Sequence, residues 1–536
     1  MYDVCVIGSG AGGGTLATEL ALAGAKVALV EAGRMPTPKD FYGHRWPYEF
    51  PKHQKPTYLP FTPPELREDL RYENCDSIYF NRIRAVGGQT NYWNAVSLRF
   101  AERDFRERSL AGVEEDWPIT YQELAPFYSR AEKIMGVTGT REGLEIVPDG
   151  EYLKPLKPRC SESIIKRVCT KMGIPMIPAR KAVLTEPYDG RPPCHYCGHC
   201  MEGCDVGAVF STSGVMIPKA EATGNFTLLQ NKMARELLVN QEGKVRAVSV
   251  IDTVTRKEEE ISAKLFAVCC GTSESARLLL NSGSSRFPNG IANNDDALGR
   301  YLHGNIAMEV SGYLEELIGT PPVNNDGATD HTYIPRFNQN RKDLDYVGGY
   351  HFQLQYSSFM YPYQANILKG FGKSFKQQVR SLQPGFVLMG GYTKVLARPE
   401  NRVVVDPNRK DSYGIPILVA HFRWSDNDRR VYKDMMNTGL GILEEAKCRL
   451  ITPSPSGPLP EPSGFAAHEV GTVRMGRDPK TSVLNGNCQA HEVKNLFGVD
   501  CSVFTTYSEK NPTLTVVALA CRTAQYMAEQ VRKREL

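Results

Sequence analysis

The chain has 536 residues, 41% of them hydrophobic and 23% charged, with 64 Lys and Arg against 60 Asp and Glu for a formal net charge of +4. These are globular values, enough chain for two large domains or several smaller ones at roughly 150 residues each. They exclude a mainly disordered chain, a collagen and a coiled coil, and the absence of any like-charge block speaks against a nucleic-acid partner or a charged membrane surface.

The first element is a short apolar run, Tyr2–Ile7, that reads as a buried parallel strand. It enters Gly8-Ser9-Gly10-Ala11-Gly12-Gly13, then a helical pattern over 15–23, then a second strand over 26–30 that ends at Glu31. This is a βαβ unit with the dinucleotide fingerprint G-x-G-x-x-G. Gly8 permits the tight turn, Gly10 lets the backbone approach a pyrophosphate, and Gly13 lets helix and strand pack closely. The helix N-terminus supplies amides for phosphate, and Glu31 stands where a carboxylate accepts hydrogen bonds from a ribose. The fingerprint alone leaves NAD and FAD open. No second copy is found, which favours one tightly held dinucleotide reduced by the substrate itself.

The 4–30 stretch is too interrupted, by Glu19 and Lys26, to span a membrane, so no direct membrane insertion is expected. Met1-Tyr2-Asp3 lacks the positive region of a secretory signal. A cytoplasmic protein is expected, or a periplasmic one only if a partner exports it. Of 14 cysteines, Cys194, Cys197, Cys200 and Cys204 crowd one segment, and the other ten, from Cys5 to Cys521, are scattered. Scattered cysteines in a long chain read as buried free thiols, which points to a reducing compartment.

Three further motifs follow in chain order. Val86-Gly87-Gly88-Gln89-Thr90-Asn91-Tyr92-Trp93-Asn94 precedes Arg99-Phe100 and Asp116-Trp117-Pro118-Ile119. Cys270-Gly271-Thr272 with Glu274-Ser275 follows a strand pattern. The C-terminal block holds His468-Glu469-Val470-Gly471-Thr472-Val473-Arg474-Met475-Gly476, then Asn495 to Asp500, then Asn511-Pro512-Thr513-Leu514-Thr515. With these motifs the chain resembles the glucose-methanol-choline (GMC) oxidoreductases over nearly its whole length. It is most similar to the bacterial FAD-dependent sugar dehydrogenases and pyranose oxidases.

The resemblance implies an α/β protein with a Rossmann-like FAD-binding domain and a substrate domain on a largely antiparallel sheet. The FAD-binding domain would take 1–310 and 455–536, with a cysteine-rich arm at about 185–210, and the substrate domain 311–454. Proline-rich segments at 36–65 and 451–464 read as semi-rigid connections, the second just ahead of His468. By resemblance, Gly8, Gly10, Gly13, Glu31, Gly87, Gly88, Asn91, Tyr92, Asn94, Asp500, Asn511 and Thr513 would line the FAD. Asn94 would lie near flavin N5 or O4. Tyr92 stands where some pyranose oxidases carry a histidine bonded to the flavin, so the FAD is expected to be non-covalent.

Oxidising an alcohol requires a base for the hydroxyl proton and an acceptor for the hydride, and a histidine suits the first role. The resemblance assigns it to His468, with Asn511 as the partner that orients the hydroxyl; His491 reads as structural. The cysteine spacing C-x2-C-x2-C-x3-C is that of iron–sulfur proteins. It also resembles an arm in bacterial glucose dehydrogenases whose three cysteines match Cys194, Cys200 and Cys204, and Cys197 is extra. A structural zinc site and a metal-free loop remain open.

The expected function is FAD-dependent oxidation of a sugar or glycoside at a secondary or C1 hydroxyl, giving a keto-sugar or lactone. A cluster would suit a dehydrogenase with a small subunit and a cytochrome as electron acceptor. The alternatives are a sugar oxidase that makes hydrogen peroxide from oxygen, a dehydrogenase of a non-sugar alcohol, and a non-catalytic flavin electron-transfer subunit.

Overall fold

The computed structural model describes residues 1–41, 70–73, 76, 82–321, 329–338, 341, 343–357, 368–452, 463–464 and 468–533. Cys75 and most of the proline-rich segments at 36–65 and 451–464 lie outside the described residues.

The first sheet is ordered Phe226–Leu229, Val27–Val30, Tyr2–Ile7, Glu258–Val268, Val245–Asp252, Lys232–Val239, and Leu496–Gly498 also pairs with Glu258–Val268. Phe226–Leu229, Val27–Val30, Tyr2–Ile7, Glu258–Val268 and Leu496–Gly498 are joined by parallel pairings. The hairpin of Lys232–Val239 and Val245–Asp252 adds to it in antiparallel fashion. Glu258–Val268 serves both halves, and its sequence shows how. Ile261 and Ala263 are buried while Ser262 and Lys264 are exposed, the alternation of a half-covered antiparallel strand; Leu265, Phe266, Ala267 and Val268 are then all buried. The continuous run sits between parallel neighbours with both faces covered.

Helix Ala11–Leu22 crosses this sheet with glycine at its contact face. A Cβ on Gly13 would fall 1.9 Å from the Gly8 carbonyl oxygen and 2.8 Å from Cys269 Cβ. One on Gly12 would fall 1.9 Å from the Val499 carbonyl oxygen and 3.3 Å from Val516, on the C-terminal helix Thr513–Lys533. Tyr128 ties the helix Tyr121–Met135 to that same C-terminal helix through its hydroxyl, 2.7 Å from Thr515 Oγ1.

The second sheet is antiparallel, in the order Cys448–Thr452, Ile306–Leu314, Phe386–Thr393, Tyr350–Ser357, Thr332–Ile334, Ile177–Pro178, with Ser463–Gly464 also on Ile306–Leu314. Helix Asp426–Glu445 covers one face. Adjacent glycines separate the two faces of Phe386–Thr393: a Cβ on Gly391 would meet Met435 of that helix at 2.7 Å, and one on Gly390 would meet the Gln355 side chain at 2.3 Å. A third, small sheet holds Arg402–Lys410, Pro416–His421 and Leu70–Tyr72. The architecture is the α/β one expected, a Rossmann-like unit beside a largely antiparallel sheet. No helix among the described residues is long and apolar enough to cross a membrane.

Because both atoms facing Gly13 belong to fixed backbone or a buried side chain, Gly13→Ala is expected to destabilise the protein by about 1–3 kcal/mol, the usual cost of overpacking. Thermal or denaturant unfolding measures it, and an unchanged midpoint would contradict this packing.

Candidate active site

Several of the residues expected around the dinucleotide converge at the end of the parallel sheet. Gly8 has φ +96 and Gly87 has φ +94, conformations that favour glycine. A Cβ on Gly10 meets nothing within 4 Å, so the space in front of it is not filled by protein. A Cβ on Gly88 would lie 3.3 Å from Gly10 Cα, which places the second glycine motif against the first. Ser9 joins them: its hydroxyl accepts from the Gly87 amide at 2.9 Å and donates to Glu31 Oε2 at 2.6 Å. The Glu31 carboxylate also accepts from the Ser9 amide at 3.1 Å and the Gly33 amide at 3.0 Å, and its burial raises its pKa. The open Gly10 backbone, the uncapped helix start at Ala11 and the buried carboxylate fit a dinucleotide such as FAD.

The other expected residues are placed as follows. Asn91 donates through Nδ2 to the carbonyls of Val86 at 2.9 Å and Gly88 at 3.0 Å, and Ser213 donates to its Oδ1 at 2.5 Å, so this side chain shapes the glycine loop. Asp500 holds the third motif through the Gly271 amide at 2.9 Å and the Ser275 hydroxyl at 2.5 Å. Tyr92 is buried, with its hydroxyl 3.3 Å from the Asp40 carbonyl and its ring edge-on to Phe41. Asn94 Oδ1 accepts from Thr329 Oγ1 at 2.5 Å. Thr513 is the first residue of the C-terminal helix.

His468 and Asn511, 43 residues apart, are brought together: Asn511 Nδ2 stands 3.3 Å from His468 Nε2. The opposite ring nitrogen, Nδ1, is 2.9 Å from Oδ1 of Asn305. Asn305 Nδ2 donates to the carbonyls of Thr393 at 2.5 Å and Ser508 at 3.4 Å, so its Oδ1 must be the atom facing the ring. An amide oxygen only accepts. His468 therefore carries its proton on Nδ1 and keeps the Nε2 lone pair toward Asn511. Burial lowers the His468 pKa from 6.5 to about 4, which leaves a neutral imidazole at neutral pH.

Asn305 reaches His468 because the chain at 301–305 lies alongside 468–471. His303 and Val470 exchange backbone hydrogen bonds of 3.1 and 2.8 Å, and a Cβ on Gly304 would crowd the His468 carbonyl at 2.8 Å. Asn511 is set from below by buried ions: Lys510 Nζ donates to Asp104 at 2.8 Å, Ser508 at 3.0 Å and Glu509 at 3.0 Å.

The antiparallel sheet supplies a polar face to the same place. On Tyr350–Ser357, Tyr350, Phe352 and Leu354 enter the apolar core, while His351 and Gln353 are equally buried on the other side. Gln353 Nε2 is 2.8 Å from both Asn511 Oδ1 and His351 Nε2. Tyr392 lies across from them, its ring stacked on His351 at 5.2 Å and 5.5 Å from the His468 ring. Its hydroxyl accepts from Gln355 Nε2 at 2.8 Å. Asn305 and Gln353 were not among the residues expected from sequence. Asn305 carries no local signal. Gln353 does: polar residues at 351, 353 and 355 alternate with apolar ones in a strand buried on both faces.

Cys194, Cys197, Cys200 and Cys204 are free thiols. Burial raises the pKa of Cys194 to about 11 and of Cys197 to about 12. Among the described residues, no group of three or more His, Cys, Asp or Glu side chains is arranged to hold a metal ion. The arm instead packs inward: a Cβ on Gly203 would strike the Phe41 ring at 2.2 Å, and Phe41 leans on Tyr92. Lys181, buried beside the arm, donates to the Thr329 carbonyl, and Thr329 is the residue that holds Asn94.

Asn305→Leu removes the acceptor that His468 Nδ1 has among the described residues while keeping side-chain bulk. Substrate-driven flavin reduction is expected to slow by about 10–10²-fold, measured by stopped-flow absorbance. A base must be neutral to work, and His468, the base that the resemblance implies, is neutral above its lowered pKa. In the wild type the reduction rate should therefore hold level as pH falls through 6.5 and drop only toward about 4; a drop centred near 6.5 would show an unperturbed histidine.

Family models for GMC oxidoreductases match residues 10–305 and 397–520. The chain is 29% identical to 2-methyl-1,2-propanediol dehydrogenase of Mycolicibacterium austroafricanum, over 98% of this chain and 95% of that one. It is 27% identical to the fructose dehydrogenase large subunit of Gluconobacter japonicus, over 99% and 98%. It is 26% identical to paromamine 6'-oxidase of Streptomyces fradiae, over 100% and 92%. The crystal structure of pyridoxine 4-oxidase from Mesorbium loti superposes with a TM-score of 0.68 at 18% identity, covering 98% of this chain and 99% of that chain. With both family models matched and the fold shared end to end, the chain belongs to the GMC oxidoreductases, FAD enzymes that act on alcohol CH–OH groups.

Proposed function

We propose that this enzyme oxidises a hydroxyl of a sugar or glycoside, a secondary or C1 hydroxyl, with His468 as base and Asn511 as the group that orients the alcohol oxygen. The observation that supports the reading is the fixed pair itself: a half-buried, neutral imidazole with Nε2 free of its proton, 3.3 Å from an amide donor. FAD supplies the acceptor for the hydride that leaves the substrate carbon. His468 Nε2 takes the hydroxyl proton as that C–H bond breaks, so the alcohol loses one proton and one hydride and becomes a carbonyl. Asn511 Nδ2 donates to the oxygen as negative charge develops there. Asn305 Oδ1 then accepts from Nδ1 of the imidazolium.

In this reading Gly8, Gly10, Gly13, Glu31, Gly87, Gly88, Asn91, Tyr92, Asn94, Asp500 and Thr513 line the cofactor, held without a covalent bond because Tyr92 stands at the position of attachment. The cofactor unit is assigned to 1–310 and 455–536 and the substrate unit to 311–454.

A polyhydroxylated substrate suits a pair flanked by the polar side chains of Gln353, His351 and Tyr392. The likeness to the fructose and paromamine enzymes supports a sugar; the likeness to the propanediol enzyme favours a small diol as the second reading. The large-subunit relative supports a partner subunit; a one-electron acceptor such as a cytochrome, in the cytoplasm or exported together with that partner, completes the proposal. Only the spacing of the four cysteines speaks for an iron–sulfur cluster. Their arrangement does not, and no electron step is assigned to the arm.

Fructose, glucose, paromamine and 2-methyl-1,2-propanediol, each tested with a dye acceptor and with oxygen, discriminate these readings. Dye turnover with a sugar is expected; fast peroxide formation would make the enzyme an oxidase, and no flavin reduction by any of the four would overturn the proposal. His468→Ala should slow flavin reduction by roughly 10²–10⁴-fold, as loss of a positioned base does. Acid precipitation should release the flavin into the supernatant, and iron and acid-labile sulfide on anaerobic protein decide the metal.

A further inference from the structure

We propose that Gln353 is a positioning residue that fixes which end of the Asn511 amide faces the reaction, and so makes Asn511 a hydrogen-bond donor to the substrate oxygen. The inference rests on the roles proposed for His468 and Asn511.

An asparagine side chain has a donor end and an acceptor end of nearly equal shape, and packing alone does not choose between them. Here a directed chain of hydrogen bonds does. It starts at two backbone carbonyls, of Thr393 and Ser508, which can only accept. They demand the nitrogen of Asn305, which turns its oxygen to His468 Nδ1. His468 is thereby protonated on Nδ1 and presents a lone pair at Nε2. That lone pair requires a donor, and Asn511 Nδ2 faces it. Asn511 Oδ1 is left on the far side, where Gln353 Nε2 donates to it at 2.8 Å.

Gln353 has two hydrogens on that nitrogen. The second goes to His351 Nε2, also at 2.8 Å. His351 sits with its ring centroid 5.2 Å from Tyr392 and 4.8 Å from Tyr333, and because an amide nitrogen only donates, the Nε2 that faces it is the accepting nitrogen of a neutral ring. Both ends of the Gln353 amide nitrogen thus meet acceptors, and the glutamine cannot turn over without losing both. Every member of the chain from Thr393 to His351 has one permitted polarity.

The consequence is chemical. With Oδ1 engaged by Gln353, Asn511 has only N–H to offer toward an alcohol oxygen beside His468 Nε2. If the amide were reversed, its oxygen would oppose the His468 lone pair, and the growing negative charge on the substrate oxygen would meet no donor. Gln353 also brings the antiparallel sheet into the reaction, since it reaches Asn511 from the strand Tyr350–Ser357 without touching His468 itself in the structure.

A double-mutant cycle tests this on the FAD holoenzyme by anaerobic stopped-flow, with the member of the four-compound panel that reduces the wild-type flavin. Gln353→Met, which keeps length but cannot donate, should lower the limiting reduction rate about tenfold. The substrate concentration for half-maximal rate should move less than about threefold, because orientation is lost rather than uniform binding. Added to Asn511→Ala, the same change should cost less than about twofold, since no amide remains to be oriented. A residue that only supports the sheet would cost the same factor in both backgrounds, and that result, or a wild-type rate in Gln353→Met, overturns the proposal. Gln353→Glu, whose carboxylate only accepts and so favours the reversed amide, should be at least as slow; it carries the cycle if the methionine variant does not retain FAD. Normal reduction in Asn511→Ala or His468→Ala would sink the proposed function instead, whatever Gln353 does.

Discussion

The side chain of Asn305 is the joint on which the candidate site depends. Its amide is bonded to Thr393 of the antiparallel sheet, to Ser508 ahead of the C-terminal helix, and to His468 of the fourth motif. These three segments belong to different parts of the chain, and none is near residue 305 in sequence. The amide nitrogen holds the two backbone segments at a set distance, and the oxygen then dictates the tautomer of His468, the proposed base. One buried group of fewer than ten atoms therefore controls both the assembly of the site and its protonation state.

The cofactor end has a comparable joint in Ser9. Its hydroxyl lies between the Gly87 amide and the Glu31 carboxylate, while its carbonyl accepts from Thr212 at 2.8 Å. Thr212 in turn takes the hydroxyl of Thr90 on its own amide at 3.0 Å. Two glycine loops that leave room for a ligand are weak structures by themselves, because glycine resists order and supplies no side chain to pack. Short hydroxyl-bearing residues supply the missing cohesion without filling the space. The carboxylate of Glu31 is buried at some cost to its charged form, and the amides of Ser9 and Gly33 offset that cost.

Much of this was legible in the sequence. The βαβ unit was readable because strand, glycine turn, helix and acid are consecutive, and each follows from local rules of backbone freedom and periodicity. His468 and Asn511 were readable only through their motif context, since a lone histidine or asparagine says nothing. Asn305 was not readable: its role comes from a bridge between 303 and 470, and such a pairing leaves no mark on either segment. The cysteine spacing suggested a ligand set that the described thiols do not form, since spacing fixes how far ligands lie along the chain and not where their sulfurs point. The polar face of Tyr350–Ser357 lay between these cases. Its alternation predicts a strand, but polar alternation ordinarily marks solvent, and only the tertiary fold shows that this face turns inward.

The order of strands in the first sheet has a consequence for how the protein comes into being. Tyr2–Ile7 is flanked on one side by Val27–Val30 but on the other by Glu258–Val268, which is itself completed by Leu496–Gly498. The fingerprint helix Ala11–Leu22 is covered by the last helix, Thr513–Lys533. Residues 1–30 are therefore made long before the residues that cover them, and until those arrive a glycine-rich, apolar helix and an unpaired strand edge are exposed. Contacts that span the full chain are slow to form, and unsatisfied strand edges invite association in the interval. The cradle cannot be finished until residues 496–533 have joined residues 1–30, so the dinucleotide site forms only once those two distant segments have met.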